Sequence, residues 1–61
     1  MDDDLDSAAR YLERAEEVRA IAAAMSDERT RHSLLRVAED YVHMAQTRSQ
    51  IHALGQTLKA R

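Results

Sequence analysis

Residues 27–53 contain neither proline nor glycine, and their apolar side chains return at helical spacing, so the stretch reads as one long helix. At about 100° per residue, Thr30, Leu34, Ala38, Tyr41, Ala45, Arg48 and His52 fall in one narrow stripe. Leu35 and Val42 flank it on one side, Val37 and Met44 on the other. The remaining sector, Arg36, Glu39, Asp40, His43 and Gln46, is polar. An apolar surface this wide exceeds what one neighbouring helix covers. The helix is therefore expected to touch a second helix of its own chain and something further.

The partner helix is predicted over about residues 5–25. Its start lies among residues 4–7, where Asp and Ser side chains accept bonds from free N–H groups and negative charge suits the positive helix end. Its stripe is Ala8, Tyr11, Ala15, Val18, Ala22 and Met25, flanked by Leu5 and Leu12 on one side and Ile21 on the other. Asp6 with Arg10, Arg10 with Glu13, Arg14 with Glu17 and Glu16 with Arg19 are opposite charges at helical spacings. Ser26 and Asp27 break the pattern and suit an N-cap, with Glu28 favoured in the turn that follows. A connection so short forces antiparallel neighbours. The second helix is predicted over about residues 28–54, with Gly55 as a C-terminal stop and 55–61 as a tail that extends the helix or frays.

Folding about Ser26 and Asp27 sets Val18 beside Leu34, Ala15 beside Ala38, Tyr11 beside Tyr41 and Ala8 beside Ala45. Small layers alternate with large ones, and the axes can approach to roughly 8 Å. Such a seam is a weak core. At 61 residues the chain is one domain whose core barely offsets chain entropy. With no Cys it has neither a disulfide nor a thiolate metal site to staple it, which leaves oligomerisation as the common remedy. Charge is split: residues 1–28 hold nine acids and three bases, residues 29–61 two acids and six bases. The halves are expected to attract across the hairpin, the alternative being an arm reserved for a partner; Arg48, on the stripe at the level where the first helix begins, is expected to lie close to the acidic cluster Asp2, Asp3, Asp4 and Asp6.

Residues 11–45 resemble a group of short, uncharacterised bacterial helical-hairpin proteins that share an R-A-x-E-x-R-x-x-A helix, an S-D turn and an R-x-x-L-L-x-x-A-x-x-Y helix. Arg14, Ala15, Glu17, Arg19, Ala22, Ser26, Asp27, Arg31, Leu34, Leu35, Ala38 and Tyr41 carry the likeness. Glu28, where those sequences often have Pro, and Val18, where Cys is common, depart from it. The resemblance implies a helical hairpin and no established activity.

Sites of chemistry are not legible. Asp40 and His43 form a D-x-x-H, close to the E-x-x-H of carboxylate-bridged di-iron bundles, but they lie on the polar sector, whereas such ligands project into a bundle core. His32 and His43 share no helical pairing, and His52 sits on the stripe beyond the reach of the first helix. Nucleic-acid binding calls for a basic face with stacking aromatics; Arg29 and Arg36 share one side, but Arg31, Arg48 and Lys59 scatter and both Tyr are seam residues. The Ser residues lack a base and orienter around a pocket. The acidic first helix does not suit a membrane surface, the N-terminus lacks a basic start and apolar core, and no apolar run spans a bilayer.

The expectation is thus an all-α, antiparallel two-helix hairpin that dimerises into a four-helix bundle. It is read as a cytoplasmic, non-enzymatic protein–protein interaction module without cofactor or metal. Its first partner is a second copy of itself, with an unidentified protein as a further possibility. Leu5, Leu12, Leu35 and Val42 are the candidate dimer face, and Met44 with Ile51, on a ridge with Val37, the candidate second contact. An RNA-binding hairpin dimer and, more weakly, a metal-binding bundle are the alternatives.

Overall fold

The computed structural model describes residues 3–59 and is a hairpin of two packed helices, α1 (Asp3–Ala24) and α2 (Glu28–Lys59). Asp3, Asp4 and Asp6 occupy the first turn of α1, where carboxylates face the positive end of the helix dipole. At its other end the Met25 N–H donates to the Ala22 carbonyl at 3.1 Å, tightening the last turn. Arg31 reaches back from α2 and donates to the Met25 carbonyl at 3.3 Å, satisfying an acceptor that the helix itself leaves open.

Asp27 starts α2. Its Oδ2 accepts the Thr30 N–H at 2.9 Å and the Thr30 hydroxyl at 2.6 Å, and its carbonyl accepts the Arg31 N–H at 3.0 Å. This is the N-cap geometry expected of Asp. The Thr30 hydroxyl first, and the Thr30 N–H second, hold the Asp27 carboxyl below its ordinary value of 3.8.

The seam between the helices is made of alanine. Ala8, Ala15 and Ala22 on α1 and Ala38 and Ala45 on α2 are the buried residues, none more than 5 % exposed, and no large side chain is fully buried. On each helix these alanines stand seven residues apart, a spacing that keeps one narrow stripe against the neighbour along the whole contact. Between them Tyr11, Val18, Leu34 and Tyr41 are half-buried. The Tyr11 and Tyr41 rings stack with centroids 6.1 Å apart and planes inclined by 27°, which fixes the register. Asp4 meets Arg48 at 3.5 Å beyond the Ala8 and Ala45 layer, two layers further from the turn, in the same antiparallel sense.

The structure departs from the sequence-based expectation at four places. α1 already begins at Asp3 and ends at Ala24, leaving Met25 with Ser26 and Asp27 in the turn. Gly55 does not stop α2, which continues to Lys59. Its φ is not positive, so the left-handed cap that glycine permits is not used. One glycine inside a helix costs only about 1 kcal/mol, and helix-forming Leu54, Gln56 and Leu58 surround it.

Thr30, placed on the stripe by periodicity, is instead exposed and turned to the Asp27 cap. The half-buried Arg31 takes the seam position, seven residues before Ala38. Of the four charge pairs expected on α1, Arg14 with Glu17 (3.3 Å) and Arg19 with Glu16 (3.0 Å) close, whereas among the described residues Arg10 pairs with neither Asp6 nor Glu13. Exposed pairs at this spacing are worth too little to hold every side chain in place.

The molecule measures 52 × 17 × 10 Å, one helix thick in its shortest direction. Its radius of gyration is 14.8 Å, against about 10.5 Å for a compact domain of this length. A body of this shape has two broad sides and almost no interior.

Two outcomes test this architecture. Ala38→Leu should overpack the seam and lower unfolding free energy by about 1–3 kcal/mol in urea titration, while Ala53→Leu on the exposed surface should leave it near wild type; an unchanged Ala38→Leu protein would contradict the register. The Asp27 carboxyl is depressed in the folded state, so its capping contribution is present above the unfolded value of 3.8 and lost as pH falls through the lower folded one. The melting temperature of Asp27→Asn should therefore fall less than that of wild type on acidification below pH about 4.

Candidate interaction faces

Because the fully buried residues of the seam are alanines, most large aliphatic side chains, Val18 and Leu34 apart, stand to either side of it. On the first side Leu5, Leu12 and Leu35 are exposed and Val42 is half-buried. The antiparallel register brings Leu12 and Val42 together at the centre, where they line a shallow open hollow with Ala45 and a polar rim of Gln46, Ser49 and Gln50. Leu5 and Leu35 each lie one seven-residue step away in opposite directions, about 10 Å along the axis. The four predicted residues thus share a face but form a diagonal strip along it.

On the second side α2 dominates. Val37, Met44 and Ile51 are exposed in a straight row, and Met44 and Ile51 border a hollow with Tyr11, Thr47 and Arg48. α1 adds exposed Ile21 near the turn, but further along offers the charged group Arg10, Glu13, Arg14 and Glu17. Leu54, just before Gly55, is 62 % exposed, and the continuation of α2 beyond Gly55 adds Leu58, 63 % exposed. The sequence reading leaves Leu58 in a tail; the available signal for its place on the ridge is that it follows Ile51 by the same seven residues that separate Val37, Met44 and Ile51.

At the far end from the turn, Arg48 occupies a seam position and points to the acidic start of α1, as its place on the stripe predicts. Its Nη1 lies 3.5 Å from Asp4 Oδ1. Asp2, expected in the same cluster, lies outside the described residues. The charge is thereby neutralised where the seam meets solvent.

The histidines do not converge. His32 Nε2 lies 3.5 Å from Glu28 Oε2 on an exposed surface, His43 is exposed on the polar sector with Asp40, and half-buried His52 sits towards the far end of α2. Among the described residues no group of three His, Asp or Glu is arranged to hold a metal ion. Of the arginines, Arg14, Arg19, Arg31 and Arg48 each pair with a carboxylate of this chain. Among the described residues no helix is long and apolar enough to cross a membrane. No family model matches the chain, and neither a curated protein nor a solved structure matches it.

Because Arg48 and Asp4 both remain partly in solvent, Arg48→Ala should cost no more than about 1 kcal/mol of stability. That difference should shrink as sodium chloride is raised towards 1 M; a salt-independent loss would show that Arg48 acts through packing of its stem rather than its charge.

Proposed function

We propose that this chain is a non-enzymatic interaction module that works as a homo-oligomer, its hairpins pairing across the Leu5, Leu12, Leu35 and Val42 face into a four-helix bundle. The observation that carries the reading is the mismatch between core and surface. The described interior consists of five alanines, while nine large aliphatic residues are 39–63 % exposed. Full burial of one such side chain is worth about 1.5–3 kcal/mol, so covering what these nine still expose would add a large stabilisation that the lone hairpin forgoes.

Surface area leads the same way. The chain exposes 4966 Å², whereas a compact monomer of 6.9 kDa exposes about 4,000 Å². The surplus is roughly 1,000 Å², close to the 800 Å² or so that each partner contributes to a standard interface. A second copy is the economical partner, because the Leu12 and Val42 face draws on both helices and can meet itself about a two-fold axis. A face shared by both helices also braces the hairpin it covers.

Sedimentation equilibrium at micromolar concentration tests the reading. Wild type should sediment as an oligomer, and a Leu12→Glu, Leu35→Glu double variant should dissociate or unfold. A folded double variant of unchanged oligomeric mass would falsify the face assignment, and a monomeric wild type would overturn the homo-oligomer itself.

A further inference from the structure

The two helices are unequal, 22 residues in α1 against 32 in α2, and the difference lies at one end. The Asp4 contact with Arg48 sets the level at which α1 begins, and residues 49–59 carry α2 about three turns past it. A short helical extension gains little from propensity alone and is held chiefly by what its apolar face packs on. Here that face carries Leu54 and Leu58, the most exposed aliphatic residues described.

The extension lengthens the ridge on the second side into a row of four, Val37, Met44, Ile51 and Leu58, at a constant spacing of seven. Met44 stands at the middle of α2, and Val37 and Ile51 are equidistant from it. Inverted about Met44, the trio Val37, Met44 and Ile51 falls on its own equivalents, and Leu58 falls level with Thr30.

We propose that the ridge of α2 packs against the same ridge of a second copy, antiparallel about a two-fold axis at Met44. This rests on the homo-oligomer reading and adds an interface distinct from the Leu12 and Val42 face. Met44 meets its own equivalent, and Val37 meets the second copy's Ile51. Sliding to this register lays each overhang across the turn end of the other hairpin, where Leu58 covers the level of Ile21 and Thr30. Each long helix thereby supplies the cover that the shorter α1 leaves out. The like charges that come level, Arg29 and Lys59, fall at the exposed ends, where salt screens them.

The chain has no cysteine, so single cysteines report the geometry directly. In the antiparallel register two Met44→Cys chains place their thiols at the axis, whereas two Val37→Cys chains hold theirs 14 positions apart, about 21 Å along the helix. Under mild oxidation at micromolar concentration, Met44→Cys should form a covalent dimer roughly ten times faster or more than Val37→Cys, and a Val37→Cys, Ile51→Cys double variant should also cross-link. Circular dichroism confirms that each variant keeps wild-type helix content. Equal rates for the two single variants would mean a parallel ridge and overturn the proposal. Absence of cross-linking in Met44→Cys while wild type sediments as an oligomer would also overturn it, leaving the Leu12 and Val42 dimer standing. A monomeric wild type would remove both.

Discussion

Two helix backbones approach closely only where the side chains between them are small, and this hairpin meets that condition with alanine at every seventh residue. Ala8, Ala15 and Ala22 face a partner row containing Ala38 and Ala45. Close approach gives many weak dispersion contacts and a well-defined register, but a methyl group removes little apolar surface from water. The larger side chains are displaced sideways, out of the seam. Tyr11 and Tyr41 keep a foothold by stacking on each other, while Leu12, Leu35, Met44 and Ile51 keep a large part of their surface in solvent. The same choice of alanine that makes the hairpin thin makes its flanks apolar.

Both ends of the seam are closed by polar interactions rather than by more packing. At the turn, Arg31 joins the two helices by reaching the Met25 carbonyl while pairing with Glu28. At the other end Arg48 and Asp4 do so by charge. Arginine suits both places because its aliphatic stem lies along the seam while its guanidinium stays at the edge. A leucine at either position would extend the apolar stripe into water.

Much of this architecture is legible in the residues. The pairing of Ala15 with Ala38 and of Tyr11 with Tyr41 follows from counting outwards from Ser26 and Asp27, because a short turn leaves the register little freedom. The position of Arg48 opposite the acidic cluster follows from the same count. Thr30 escaped it because two local forces compete there: periodicity places it on the seam, and the Asp27 carboxylate draws it into the cap. Gly55 escaped it because a glycine marks a helix end only when the backbone turns left-handed, and a residue type does not reveal φ. The candidate faces were legible as surplus apolar surface, since periodicity reports how much of a helix is apolar.

The turn carries one more consequence. Met25, Ser26 and Asp27 include no glycine or proline, so nothing covalent obliges the chain to reverse there. If those three residues joined the helices on either side, the chain would become one uninterrupted rod, and α1 would find its alanine partner row on another molecule. Reversal is held against that outcome by the Asp27 carboxylate on Thr30, the Arg31 bridge and the seam itself. The cap thus bears on topology as well as helix stability: its carboxylate holds the break at which α1 folds back on its own α2.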